Sequence, residues 1–342
     1  MRSIRGIALT LCAFLSVGLV ATSAGASRDA SFAKQWGLAK IGAPEAWAHS
    51  TGQGVRVGIV DTGVDLNHED LAGRVVESVS CVGAAGNQAK CTGSAQDDQG
   101  HGTHVAGIIA ANRDNDLGIA GVAPDAQLVV AKALSAAGAG TEEDINAGIK
   151  WVVDHGAKVV NLSLGDPNFV FTSLLGTGMR EGIEYAWSKG AIPVLASGNS
   201  NLLGLGLGSS NYGSLNAVVV GATGHDDQVA EYSSPIGSAK WGILAPGGSG
   251  DGNKDHDIYS TFWKSGSPNA YEALAGTSMA APHVAGALAL LLAEGLTPQQ
   301  AIERLISTSD PKVSCDNCKG RMDLARASAQ DRTAAKEQEP AQ

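Results

Sequence analysis

The stretch "VRVGIVDTGVD" (residues 55–65) decides how this chain folds. Its first half is a continuous β-branched run without polar alternation, the pattern of a strand covered on both faces, as in a parallel sheet. The run stops on Asp61 and passes at once into Thr62-Gly63. A carboxylate at the end of a buried strand is desolvated unless a polar group meets it. An Asx turn would also explain it, and would suit Asp65 equally well. Four further runs have the same character: "QLVVAKAL" (127–134), "KVVNLSLG" (158–165), "AIPVLASG" (191–198) and "NAVVVGAT" (216–223). Helical patterns lie between them. "TEEDINAGIKWVVDHG" (141–156) offers Thr141 as N-cap, acids in its first turn, and Ile145, Ile149, Val152 and Val153 on one face. "MREGIEYAWSKG" (179–190) stops on Lys189-Gly190, and "TPQQAIERLIS" (297–307) opens with Thr297, Pro298 and Gln300 as a capping box. Strand–helix alternation predicts an α/β fold with a parallel sheet and right-handed crossovers. The stretch 245–270, rich in Gly, Ser and Asp, reads as loop.

The chain has 342 residues, and its first 26 read as a removable secretory signal: Arg2 and Arg5, an apolar core, then Ala24-Gly25-Ala26 as the cleavage site. The apolar run is too short for a membrane anchor. Losing Arg2 and Arg5 takes the formal charge from −10 to −12, which argues against a nucleic-acid partner and for solubility. One domain is expected over residues 27–329, followed by a solvated, disordered tail at 330–342. Four cysteines remain, an even number suited to disulfides in an exported chain. Among three possible pairings, short separations favour Cys81–Cys91 and Cys315–Cys318; a redox Cys-x-x-Cys or a four-thiolate zinc site is the alternative.

"GTSMAAPHVAG" (276–286) sets Ser278 among residues too small to hide it, just ahead of an apolar helix. Close helix packing would explain this. So would nucleophilic chemistry, which needs an open approach, a base and donors for the oxyanion. His283, five residues on, lies about 140° around a helix axis from Ser278 and reads as packed. "GHGTHVAGIIAA" (100–111) is a second segment of the same build, with His101 at a helix entry and His104 one turn inside as a structural residue. The pair lacks the Glu of a protease zinc helix. An imidazole acting as base needs a carboxylate to fix its tautomer. Asp97 and Asp98, in a polar loop, read as solvated, so Asp61 is the better source. In open parallel sheets ligands bind at the carboxyl ends of strands, where Asp61, Ser163-Leu164-Gly165 and Ser197-Gly198-Asn199 all fall.

Taken in order, "VDTGVD", "GHGTHVAG" and "GTSMAAPHVAG" closely resemble the three active-site signatures of the subtilisin-like serine proteases, the subtilase family. The resemblance runs from "QWGLAKIGAPEAW" (35–47) to "QQAIERLISTS" (299–309). It implies a three-layer fold, with Ser278 as nucleophile, His101 as general base then acid, and Asp61 as orienting carboxylate. It implies that the Asn199 amide donates to the oxyanion beside the Ser278 N–H. Ser163, Leu164 and Gly165 would pair in β fashion with substrate backbone and, with Ala196, Ser197 and Gly198, wall the primary specificity pocket. These segments carry no acid, so a broad or apolar preference is expected.

The resemblance also implies a structural calcium ion at Asp70, in "NHEDL" (67–71), and Asn115, with no cofactor for catalysis. Glu69 stands where the family usually has Pro, and the loop after His104 reads as one residue longer. "SCVGAAGNQAKC" (80–91) is an extra surface loop. Little sequence separates Ala26 from "QWGLAKIG", so folding without a prodomain, or with a helper elsewhere, is expected. The sequence reads as that of a secreted, monomeric serine endopeptidase, extracellular or periplasmic, acting on proteins or peptides. A processing protease made selective by loops 81–91 and 201–211 is the alternative. An inactive peptide-binding relative is a third reading, and the intact Asp61, His101, Asn199 and Ser278 count against it.

Overall fold

The structure is a computed structural model that describes residues 27–164, 178–199, 213–313 and 315–329. The expected signal (1–26), Gly165, the loop 201–211 and the tail (330–342) lie outside these residues. Two short helices, α1 (Trp36–Lys40) and α2 (Ala43–Ala46), lead into β1 (Arg56–Asp61) and β2 (Val75–Ser80). Then follow α3 (His101–Ala110), β3 (Gln127–Lys132), α4 (Glu142–Asp154), β4 (Val159–Leu162), α5 (Arg180–Ser188), β5 (Ile192–Ala196), β6 (Val218–Thr223) and β7 (Trp241–Pro246). The chain continues with β8 (Ile258–Lys264), β9 (Ser267–Leu274), α6 (Thr277–Ala293), α7 (Pro298–Ser307) and α8 (Leu324–Ala329).

Among the described residues, β1 to β7 form one sheet in the order β2-β3-β1-β4-β5-β6-β7, every neighbouring pair parallel. The continuous apolar runs have their reason in the packing. On β1, Val57 and Ile59 face one core and Val60 the other; on β3, Leu128 and Val130 alternate with Val129 and Ala131 in the same way. Helices α3 and α6 fill the first core, and α4 and α5 the second, so the fold has three layers. Helix α6 is buried from Thr277 to Leu291 because it packs on α3, on β4 to β7 and on α7. A helix covered all round reads as uniformly apolar, as "ALALLLA" does.

The helix ends follow from local chemistry. Thr141 accepts from Asp144 N–H at 3.1 Å, and Thr297 and Gln300 complete a capping box. Cys81 pairs with Cys91 and Cys315 with Cys318. The loop 81–91 is docked on α4, where Asp144 accepts from the N–H groups of Gly83 and Ala85, each at 2.8 Å. The stretch 245–270 corrects the sequence expectation. It contains the end of β7 and most of the β8–β9 hairpin, which is fixed by tertiary contact: Ser260 and Thr261 donate their hydroxyls to the carbonyls of His104 and Thr103. Polar strand residues that bond a neighbouring helix leave no apolar pattern to read. No described helix is long and apolar enough to cross a membrane.

Candidate active site

Strand β1 delivers Asp61, fully buried, to the carboxyl edge of the sheet. Its Oδ1 accepts from Thr62 N–H at 2.7 Å and from His101 Nδ1 at 2.8 Å. Donation from Nδ1 fixes the imidazole tautomer and makes Nε2 the basic nitrogen. The approach of helix α3 to β1 depends on one missing side chain. A β carbon on Gly102 would sit 2.0 Å from the Gly63 carbonyl oxygen and 3.1 Å from Asp61 Cβ. Its N–H also donates to Thr62 Oγ1 at 2.9 Å.

Ser278 is the second residue of α6 and is buried except for a small exposed part. Its N–H belongs to the first helical turn, where no intrahelical acceptor exists, at the positive end of a 17-residue helix. The carbonyl of Ser278 is also released from the helix ladder, because Pro282, four residues on, has no N–H. Ser163 Oγ donates to that carbonyl at 2.8 Å and itself accepts from Asn161 Nδ2 at 2.9 Å. In return Ser278 Oγ donates to Ser163 O at 3.2 Å. The end of β4 and the start of α6 are therefore clasped, with the hydroxyl resting on a carbonyl of the segment expected to pair with substrate.

Asn199 follows β5. Its Oδ1 accepts from both Thr277 N–H (2.9 Å) and Thr277 Oγ1 (3.0 Å), so its Nδ2 is turned the other way as a donor. Thr277 Oγ1 accepts in turn from Gly198 N–H at 3.1 Å, where Gly198 has a φ of 103°. Gly276 packs here too: its β carbon would lie 3.4 Å from Asn199 Nδ2. Two N–H groups, the Asn199 amide and the backbone of Ser278, thus lie close to Gly276, at 3.4 and 3.7 Å from where its β carbon would be; paired donors of this kind can stabilise a tetrahedral oxyanion. Leu164, Ala196 and Ser197 are buried beside this site, and Ser197 Oγ donates to Ser234 O at 2.9 Å.

The other histidines behave structurally. His104 Nε2 faces the carbonyls of Ile258 and Glu272, each at 3.1 Å, and burial holds its imidazole down to about 3, with His101 adding to the effect. His283 Nδ1 donates to Met279 O at 2.8 Å, and burial lowers it to about 4. Asp97 corrects the sequence expectation. It is fully buried, and its carboxylate accepts from Thr62 Oγ1, Gln99 N–H and Gly100 N–H at 3.0 Å on one oxygen, and from Thr103 N–H and Oγ1 on the other. Asp98 is the solvated partner, paired with Lys132 Nζ at 2.7 Å. An acid shortly before a helix start is a capping signal, which the reading of both aspartates as solvated passed over.

Asp70 lies buried in a short turn of 3₁₀ helix, Glu69–Leu71. Its carboxylate accepts from Asn115 Nδ2 and Ile119 N–H, each at 2.8 Å, and from the Tyr271 hydroxyl at 3.3 Å. Burial pushes its carboxyl above the usual range against these hydrogen bonds, and repulsion from buried Asp29 adds to the rise. Asp29 accepts from Asn115 N–H at 3.0 Å. The two carboxylates are oxygen groups of the kind calcium prefers, whereas Asn115 turns its NH₂ to Asp70 and its Oδ1 accepts from Leu117 N–H at 2.9 Å. Among the described residues no three acidic, His or Cys side chains gather as a metal site, so carbonyls would have to complete the shell.

Comparison with known proteins gives the family. A model of the "Subtilase family" matches residues 52–337. Over 299 residues the chain is 37% identical to thermitase of Thermoactinomyces vulgaris, covering 86% of this chain and 95% of thermitase. It is 40% identical to subtilisin Savinase of Lederbergia lenta over 261 residues, 75% of this chain and 83% of that protein. A solved protease from Pseudoalteromonas arctica PAMC 21717 superposes with a TM-score of 0.74 at 30% identity, covering 89% of this chain and 99% of that one.

Proposed function

The chain belongs to the subtilase family, and from that premise we infer how its own residues carry out serine endopeptidase chemistry. His101 Nε2 takes the Ser278 proton as Oγ attacks the scissile carbonyl, and Asp61 stabilises the imidazolium that forms. The oxyanion is held by Asn199 Nδ2 and the Ser278 N–H. His101 then protonates the leaving amine, the acyl-enzyme remains on Ser278, and water releases it by the same path in reverse. The observation that carries this reading is the buried 2.8 Å bond between Asp61 and His101 at the mouth of the sheet. Labelling with a fluorophosphonate tests it: the wild type reacts and Ser278→Ala does not. A folded wild type that stays unlabelled refutes the assignment.

We assign substrate-backbone pairing to Ser163-Leu164-Gly165. A broad or apolar preference is supported by the absence of an acid there and at Ala196-Ser197-Gly198. Substrate pairing with the Ser163 carbonyl would displace the Ser278 hydroxyl resting on it. Cleavage of a random peptide library tests the preference, and a narrow consensus refutes it. Export is supported by the signal-like residues 1–26. Action as a monomer is tested by size-exclusion chromatography, and a stable dimer refutes it. We also propose that Asp70 and Asn115, with Asp29, hold a structural calcium ion, which would neutralise two buried carboxylates and tie the N-terminal segment to the loop after α3.

A further inference from the structure

Thr62 is held at every polar atom. Its N–H donates to Asp61 Oδ1 at 2.7 Å, and its carbonyl accepts from Lys132 Nζ at 2.6 Å. Its hydroxyl accepts from Gly102 N–H at 2.9 Å and donates to Asp97 Oδ1 at 3.0 Å. Asp97 meanwhile binds the entry of α3 at Gln99, Gly100 and Thr103, and Thr103 Oγ1 accepts from Asp65 N–H at 2.8 Å. One buried carboxylate therefore joins the residue after Asp61 to the helix that starts at His101. Lys132 anchors the same junction from β3, and its other contacts are Asp98 Oδ1 and Leu134 O.

We propose that Asp97, acting through Thr62 and the first turn of α3, is the positioning residue that sets His101 in register with Asp61. It touches no reacting atom. The need for it follows from topology. Asp61 and His101 are 40 residues apart on separate elements, and a 2.8 Å bond between them tolerates only a few tenths of an ångström of drift. Packing through Gly102 limits how close the two can come, whereas the Thr62–Asp97 bridge limits how far apart they can move. A carboxylate suits the role because its two acceptor-only oxygens receive all five of these donors, and a buried link in which Thr62 and Asp97 are satisfied at every polar side-chain atom is stiff.

The proposal rests on the catalytic reading above, and one set of variants separates the two. Thr62→Val removes the hydroxyl while keeping shape, Thr62→Ser restores it, and Asp97→Asn puts an NH₂ against donors that need an acceptor. Each variant is titrated with a fluorophosphonate to count competent sites, then assayed on a peptide anilide. We expect Thr62→Val and Asp97→Asn to lose about tenfold or more in kcat/KM per competent site, and Thr62→Ser to stay near wild type. The low-field NMR signal of the proton shared by His101 Nδ1 and Asp61 should move in the first two and not in the third. If Asp97→Asn does not fold, the Thr62 pair decides. Thr62→Val with a lower melting temperature but unchanged kcat/KM and an unchanged imidazole proton signal would overturn the positioning role. A wild type that is never labelled would overturn the catalytic reading instead.

Discussion

Replacing Gly102 with alanine tests how closely α3 must approach β1. The added β carbon would lie 2.0 Å from the Gly63 carbonyl oxygen, where real contacts stay beyond 3.0 Å, so one side must retreat by about 1 Å. If α3 yields, the 2.8 Å bond between His101 and Asp61 opens towards 4 Å, past hydrogen-bonding range. A hydrogen bond to a charged group is worth about 1.5–3 kcal/mol, which corresponds to roughly 10- to 150-fold in rate. A displacement of about 1 Å at a reacting group can cost 10²-fold by itself, so the two figures agree on a loss near 10² in kcat/KM. Helix propensity favours alanine by about 1 kcal/mol, against about 1–3 kcal/mol for overpacking, so stability should fall by about 0–2 kcal/mol. Anilide hydrolysis per fluorophosphonate-titrated site separates lost geometry from lost protein. A folded Gly102→Ala within about threefold of wild type would show that the Gly63 contact does not control the base.

Asn199→Ala should lower kcat by about 10²–10³ with KM nearly unchanged, because the donor acts on the oxyanion and not on the bound substrate; a rise in KM alone would contradict this. Asp61→Asn should cost about 10⁴ in kcat by favouring the wrong imidazole tautomer, and a loss below tenfold would refute the orienting role. Stability should fall as pH drops from about 6.5 towards 4. His104 and His283 are held near 3 and 4 when folded, so the unfolded chain binds protons that the folded one refuses. Above their ordinary value this contribution is fully present. Asp70, pushed upward by burial, acts in the opposite sense at the acid end, and a melting temperature flat from pH 7 to 4 would refute the dominance of the two histidines. If Asp70 and Asn115 hold calcium, chelation should lower the melting temperature of the wild type and not of Asp70→Asn. Equal melting with and without chelator would rule the ion out as a stabilising group.

The sheet and the small-residue openings at Gly102 and Gly276 were legible in the amino-acid pattern. A strand covered on both faces must be apolar at every position, and a helix that starts in a cleft cannot carry bulk there. Asp61, His101 and Ser278 were candidates because each sits where an apolar element begins or ends, and their roles, with that of Asn199, came from the resemblance of the three segments to the subtilase signatures. Which of two adjacent aspartates is buried became visible only in the folded chain. Asp97 and Asp98 have the same chemistry and the same neighbours in the chain, and differ in whether Thr62 or Lys132 meets them. The hairpin over residues 258–274 was illegible for the same reason, since its polar side chains are satisfied by α3. So was the clasp between Ser163 and Ser278, which exists because Pro282 withholds an N–H from a carbonyl that a distant strand then reaches. Periodicity records burial, which is set along one element. Hydrogen-bond partners are set between elements, and those are chosen only when the chain closes.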